Sequence, residues 1–438
     1  MVNTTSILCP AWFIAAPASG QGKTTITAGI ARYHRNQGRH VRVFKTGPDF
    51  LDPLILEQAS GNPVTPLDLW MTGEDECRRS LYEAAEMADV ILIEGVMGLF
   101  DGEPSSADMA SYFGIPVTLL INVRSMAQTF GAVVHGLTTY RPSLRFAGVI
   151  ANDVGSERHE QLLLDAMPKA IPLMAYVRRD EAMRLPERHL GLVQPSEIDD
   201  IDERLDAIAS VIESCGLTTL PDAVSFRKCE EREAILPLLK GKKIGIAKDH
   251  AFSFIYAANE QLLEQLGAEL IYFSPLRDPI LPDVDALWFP GGYPELHLEQ
   301  LQKNHGMKDA IRDFYQQNKK ILAECGGMLY LQETLTDIEE RHFDMVGVIP
   351  GNGVMRDRGG CQGMQTAPLF GQDSSAGYVR AHAHHRSRSE NTLAAFSHGK
   401  RQRHAAPGEA IVKVNGLTAT YLHLYFPSNF VAIASLFA

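Results

Sequence analysis

An α/β protein made of two successive parallel-sheet domains is the fold that the sequence predicts, and three observations predict it. Short apolar runs bounded by turn residues alternate with longer amphipathic stretches through the first half, the pattern of strands joined by helical crossovers. That alternation lapses at 217–241, where Pro221, the charged run 228–233 and Lys240 gather, and then resumes. At 438 residues the chain also exceeds what one hydrophobic core usually serves. The expected division is a first domain over 1–216, a linker over 217–241 and a second domain over 242–438.

In the first domain the runs 11–16, 41–44, 90–93, 117–123 and 146–150 read as buried strands, and 24–36, 74–87, 125–139 and 157–166 as helices. In the second, 243–247, 270–273, 286–289 and 320–323 read as strands, with helices near 253–266 and 307–317. After Val346 the strands are shorter and closer together, ending in a pair over 410–414 and 419–425, which suggests an added antiparallel section.

Composition is that of a soluble globular protein, 45% apolar and 21% charged. A net charge of -12 argues against nucleic acid or a membrane surface as the main partner, while leaving room for an anionic small molecule. The six cysteines (Cys9, Cys77, Cys215, Cys229, Cys325 and Cys361) form no C-x-x-C pair or dense framework, which favours reduced thiols. The first ten residues lack a leader pattern and no apolar run is long enough to span a bilayer, so a cytoplasmic location is expected.

The run 12–16 leads into Pro17-Ala18-Ser19-Gly20-Gln21-Gly22-Lys23-Thr24-Thr25 and then a helix. This strand–loop–helix context is what a phosphate-binding loop requires: its N–H groups and the helix N-terminus face phosphate oxygens, Lys23 adds a point charge, and Thr24 offers a hydroxyl to Mg²⁺. Pro17 replaces the first glycine of the usual pattern. Two acidic segments follow at strand ends, one carrying Asp49 and Asp52, the other Glu94 and Asp101. Ligands of open parallel sheets bind beyond the carboxyl ends of the strands, so these loops should share the crevice and their carboxylates could hold Mg²⁺. Each acid alone could equally be a helix-capping turn residue; their joint placement is the stronger signal.

Together, Phe44-Lys45-Thr46-Gly47-Pro48-Asp49 through Asp52-Pro53, Leu67-Asp68-Leu69-Trp70-Met71, Glu94 to Gly102 and Gly148 to Ser156 resemble the cobyrinate a,c-diamide synthases. The resemblance implies an N-terminal domain similar to dethiobiotin synthetase, which activates a carboxylate with the γ-phosphate of ATP. It implies nucleotide contacts from Ser19, Gly20, Gln21, Gly22, Lys23, Thr24, Thr25 and Asn152, and metal contacts from Thr24, Asp49, Asp52 and Glu94. Substrate contacts would come from Phe50, Leu51 and Asp101, with Asp101 serving the tetrapyrrole carboxylate or the incoming ammonia. Phe50 stands where that family often has Tyr.

In the second half, Lys320-Ile321-Leu322-Ala323-Glu324-Cys325-Gly326-Gly327 puts a thiol between a strand and a helix, near N–H groups able to favour a thiolate and to bind an oxyanion. Cys325 is the candidate nucleophile, with Gly326 and the paired glycines Gly291 and Gly292 as oxyanion donors. A buried core thiol is the ordinary alternative for a lone cysteine, and the surrounding residues argue against it. His423, at the end of the last expected strand, lies about where a class I glutaminase places its base. Many such enzymes carry Glu two residues later; here Tyr425 stands there, so the resemblance implies a Cys325–His423 dyad whose third partner is open. His382, His384 and His385 invite a metal reading, but on a strand only His382 and His384 share a face.

The implied activity is amidation of the a and c carboxylates of cobyrinate or hydrogenobyrinate, with Mg²⁺ as cofactor and ATP, L-glutamine and an anionic corrinoid as partners. A homodimer is compatible with the sequence. The same chemistry on another tetrapyrrole, such as a nickel sirohydrochlorin, is the nearest alternative, and a P-loop ATPase switch is the alternative from another class.

Overall fold

The computed structural model describes residues 6–188, 191–229, 234–357, 360 and 362–438, so Cys361 and residues 230–233 of the charged run lie outside the described residues. The chain divides into two units, Met1–Glu231 and Arg232–Ala438.

The first unit alternates strand and helix: β1 (Ser6–Ala15), α1 (Lys23–Asn36), β2 (Val41–Thr46), α2 (Leu51–Ser60), β3 (Thr65–Leu67), α3 (Glu74–Met87), β4 (Val90–Glu94), α4 (Ser106–Phe113), β5 (Val117–Asn122), α5 (Thr129–Tyr140), β6 (Phe146–Val154), α6 (Glu157–Ala166), β7 (Leu173–Arg178) and α7 (Ile201–Ser214). The sheet runs β3-β2-β4-β1-β5-β6-β7 with parallel neighbours. Its strands are apolar on both faces because both faces are covered. Phe13, Ile91, Ile93 and Leu119 pack with side chains of α3 to α6, whereas Trp12, Ile14, Leu92 and Leu120 pack with those of α1, α2 and α7. Helices α2, α4 and α7 go beyond the sequence expectation. The acidic residue Asp52 thus sits in the first turn of a helix rather than in a loop, and α4 starts from a reciprocal Ser105–Asp108 capping box.

The stretch 217–241 contains a strand, Ala223–Arg227, that pairs antiparallel with Ser6–Pro10 of β1. The second half of β1 pairs in parallel with β4 and β5. One strand therefore serves both kinds of ladder.

In the second unit the strands Glu269–Phe273, Lys243–Ala247, Ala286–Phe289, Lys320–Glu324 and Leu417–Thr420 lie side by side in that order, all parallel. The sheet continues antiparallel through Pro407–Val414, Ser397–Arg401, Gln362–Pro368, Tyr378–His384 and His423–Leu424. The sequence pattern suggested an unbroken strand over 419–425. The structure ends it at Thr420, and His423–Leu424 joins a different neighbour. The break has a hydrogen-bonding reason: the Cys325 N–H donates to the Thr420 carbonyl at 2.8 Å, and the Leu422 N–H donates to Thr420 Oγ1 at 3.2 Å.

Helix α1, which carries the phosphate loop, is clamped to α7 by Arg32. Its guanidinium donates to both oxygens of Asp206 at 2.6 and 2.9 Å and to Asp202 at 2.9 Å. The Arg32 hydrogen bond holds Asp206 down to about 2. A depressed carboxylate stabilises the fold above its unfolded value of about 3.9, and that contribution disappears as pH falls through the folded value. Asp206 is half exposed, so solvent screening limits the effect. Arg32→Met should lower stability by about 1 kcal/mol at pH 7, and the gap between variant and parent should narrow between pH 4 and pH 2. Urea unfolding at pH 7 and pH 3 checks both the size and the direction.

Candidate active sites

The loop after β1 turns into α1 through Gly22, whose φ of 90° is left-handed. A side chain there would also collide with Asn152, whose Nδ2 lies 2.5 Å from the Cβ position. Asn152 donates to the Gln21 carbonyl at 2.9 Å, and the Asn122 N–H donates to Gln21 Oε1 at 2.9 Å, so the ends of β5 and β6 brace the loop. Lys23 Nζ donates to the carbonyls of Ala18 at 3.1 Å and Met97 at 2.9 Å. Burial and the neighbouring Lys45 lower its pKa. Ser19 and Gly20 are exposed.

Behind this loop is a group that the sequence reading did not single out. Lys45, at the end of β2, is buried, with Glu94 Oε1 at 2.5 Å, Asp52 at 2.7 Å and Asp49 at 3.7 Å. Thr24 Oγ1 donates to the same Glu94 oxygen at 2.9 Å. Burial acts against the Lys45 charge, but Glu94, Asp52 and Asp49 outweigh it and raise its pKa. Desolvation and the Asp52 charge push Asp49 up to about 7. Asp52 feels the same desolvation, yet Lys45 holds it low. Desolvation raises Glu94.

The sequence-derived metal ligands Thr24, Asp49, Asp52 and Glu94 thus meet in one cluster, organised around an ammonium. Among the described residues, no group of three or more His, Cys, Asp or Glu side chains is arranged as a ready cation cage. The donors nevertheless suit Mg²⁺, which keeps several waters and takes few protein oxygens. Glu94 is fully buried and its Oε2 has no hydrogen-bond partner, an acceptor left over for a cation.

Of the substrate candidates, Phe50 is half-buried, Leu51 turns into the buried face of α2, and Asp101 is exposed. Asp101 accepts from the Gly98 N–H at 2.9 Å, within the loop whose Met97 carbonyl holds Lys23.

In the second unit, Cys325 sits between the strand Lys320–Glu324 and the helix Gly326–Tyr330 with φ 44° and ψ -107°. A non-glycine residue at positive φ is strained and persists only where its surroundings enforce it. Here its N–H is fixed to Thr420. The turn leaves no room for side chains nearby: a Cβ on Gly326 would lie 3.0 Å from Gly292 N, and one on Gly291 would lie 2.2 Å from His423 Cε1. Gly291, Gly292, Cys325 and Gly326 are therefore gathered at the ends of adjacent strands, and His423, three residues beyond the end of Leu417–Thr420, packs against Gly291.

Burial pushes the Cys325 thiol up, further raised by Glu295, while the Gly326 N–H pulls it down. The helix-end effect anticipated from sequence is present but outweighed. Burial and then the His382 charge keep His423 well below its ordinary value, so both groups rest neutral.

Next to the nucleophile's helix is a cavity of about 290 Å³ lined by Met328, Arg356, His385, Arg388, Glu409 and Tyr421, among others. The His385 ring stacks on Tyr421 at 3.9 Å, and its Nε2 is 3.4 Å from Glu409. Sequence alone gave no hint of it, because its walls come from the helix Gly326–Tyr330, the strands Ser387–Ser389 and Pro407–Val414, and adjoining loops.

Residues 12–193 match the model of the CobQ/CobB/MinD/ParA nucleotide-binding domain, and residues 243–430 match that of the CobB/CobQ-like glutamine amidotransferase domain. The chain is 52% identical over 432 residues to a hydrogenobyrinate a,c-diamide synthase of Stutzerimonas stutzeri, covering 99% of each chain. It is 49% identical over 437 residues to the protein of that name from Pseudomonas aeruginosa, covering 99% of this chain and 98% of the other. A cobyrinate a,c-diamide synthase of Herminiimonas arsenicoxydans is 45% identical over 433 residues, covering 97% of this chain and 96% of the other. With both domains matched in order and relatives of this identity aligned end to end, the chain belongs to the cobyrinate and hydrogenobyrinate a,c-diamide synthase family.

Proposed function

We propose that the chain uses ATP and ammonia released from glutamine to amidate the a and c carboxylates of hydrogenobyrinate. The strained Cys325, with Gly292 packed against the start of its helix and His423 packed against the adjoining Gly291, is the observation that carries the glutamine half. The metal-free substrate is preferred because the two relatives at 52% and 49% identity bear that name.

In the glutaminase unit the neutral imidazole of His423 takes the Sγ proton of Cys325 as the thiolate attacks the glutamine amide carbon. The N–H groups of Gly292 and Gly326 receive the oxyanion, the His423 imidazolium returns its proton to the amide nitrogen so that ammonia leaves, and water then hydrolyses the thioester with the neutral His423 again as base. In the cavity next to the nucleophile's helix, Glu409 suits the α-ammonium of glutamine and Arg356 or Arg388 its α-carboxylate.

In the nucleotide unit, Lys23 and the N–H groups of the loop bind the phosphates. Mg²⁺, held by Thr24 and Glu94 with Asp49 and Asp52 nearby, would neutralise charge on the phosphate oxygens. Lys45 holds Asp52 low for that task and opposes the desolvation that raises Glu94. Asp101, exposed near the phosphate loop, orients the substrate carboxylate or the ammonia that displaces phosphate from it. Mass spectrometry of products from metal-free and cobalt-bearing acids, each with ATP and glutamine, tests the assignment. A +0 shift for both acids would sink it, and amidation of the cobalt form alone would move the chain to the cobyrinate branch.

Two variants test the division of labour. Cys325→Ala should lose glutamine-driven amidation by roughly a thousandfold or more, because no thioester can form, yet keep amidation driven by concentrated ammonium. Parallel product assays with both nitrogen sources decide this, and persistent glutamine-driven turnover would remove Cys325 as nucleophile. Lys23→Ala should slow amidation by roughly a hundredfold with either nitrogen source, while glutamine hydrolysis measured alone persists. A normal rate of amide formation would show that phosphate is bound elsewhere.

A further inference from the structure

His382 belongs to a motif that the reaction described above leaves without a task. In the antiparallel pairing of Tyr378–His384 with His423–Leu424, His382 stands directly opposite His423. Opposed residues of such a pair project from the same face and touch. The two imidazoles do so as a stack, with centroids 4.9 Å apart and planes inclined by 22°, within the range of favourable offset stacking. Both side chains are buried, at 3% and 2% exposure.

The stack is itself held. The Tyr256 hydroxyl lies 3.3 Å from His382 Nδ1, and the Tyr256 ring meets the His382 ring edge-on at 6.2 Å. On its other sides the His423 ring meets Phe254 at 5.9 Å and the backbone of Gly291, where an added Cβ would lie 2.2 Å from Cε1. The backbone on either side is pinned as well: the Leu424 N–H donates to Glu324 Oε1 at 2.9 Å, and the Tyr425 N–H donates to the Arg380 carbonyl at 2.8 Å. With the chain fixed, what remains to be set is the plane of the imidazole about its side-chain torsions. That plane decides whether a ring nitrogen faces the Cys325 sulfur.

We propose that His382 is the positioning residue of the glutaminase base: its Tyr256-anchored ring stacks on His423 and fixes the plane in which His423 takes the Cys325 proton. The inference rests on the reading of Cys325 and His423 as nucleophile and base. His382 neither touches the glutamine nor exchanges a proton. It acts through His423, so its loss should appear in the rate of thioester formation and not in glutamine binding.

The test is steady-state glutamine hydrolysis by the full chain as the parent, His382→Ala, His382→Phe, His382→Gln and Tyr256→Phe, with thermal unfolding of each and Cys325→Ala as the blank. His382→Ala should lower kcat roughly tenfold to a hundredfold while KM for glutamine stays within about threefold. His382→Phe, which keeps an aromatic face against His423, should recover most of that loss. Tyr256→Phe, which removes only the anchor, should show a smaller fall in kcat. A role confined to packing would lower the unfolding temperature and would give no such split between kcat and KM. The inference is overturned if His382→Ala keeps kcat within about twofold of the parent, or if His382→Phe is no faster than His382→Ala. Should His382→Ala fail to fold, the comparison of His382→Phe with His382→Gln decides: a faster Phe variant supports the stack, and a Gln variant as fast or faster overturns it. Absence of Cys325-dependent hydrolysis in the parent would overturn the underlying reading of the site, and this inference with it.

Discussion

Parallel strands that are apolar on both faces have only their ends available for polar chemistry, and both candidate sites depend on that constraint. In the first unit the ends of β2 and β4 deliver Lys45 and Glu94, and the loop after β1 delivers Lys23 and Thr24. In the second, the ends of Ala286–Phe289 and Lys320–Glu324 deliver the paired glycines and Cys325. Each site is a gathering of strand exits, which is why residues far apart in sequence become neighbours without any long excursion of the chain.

The two gatherings solve opposite electrostatic problems. Around Lys45 the chain concentrates titratable groups: one ammonium and three carboxylates are drawn together, the carboxylates holding Lys45 charged and Lys45 holding Asp52 low, while desolvation pushes Asp49 and Glu94 up. Around Cys325 it removes charge, so that thiol and imidazole both rest neutral under burial. The first arrangement suits a polyanionic nucleotide and its cation. The second suits a neutral amide, with charge appearing only once glutamine has excluded the remaining water.

The strands of both units were legible because an apolar run between turn residues has few other fates in an α/β chain; 243–247 and 286–289 match the structure end to end. Cys325, His423 and the loop from Ser19 to Thr25 were legible because their residue types are costly or unusual at a strand end. Lys45 was not, since a lysine closing an apolar strand reads as a solvated end until three acids from other segments are seen around it. The turn at Tyr421–Leu422 was equally hidden: the sequence stays largely apolar and aromatic, and the break coincides with one tertiary hydrogen bond, from Cys325, and one local bond, from Leu422, both to Thr420. Helix α2 was missed because Asp49, Phe50 and Pro53 look like loop chemistry, although Pro is welcome in a first helical turn.

The shared strand β1 also sets an order of assembly. Among the described residues its first half pairs only with Ala223–Arg227, at the far end of the same unit, whereas its second half pairs with β4 and β5. During synthesis from the N-terminus, the central strand can therefore be zipped at the phosphate-loop end long before its opposite end finds a partner. Residues 6–10 would carry open hydrogen-bonding groups until almost the whole unit has emerged. Closure of that ladder completes the pairing of the central strand of the nucleotide unit.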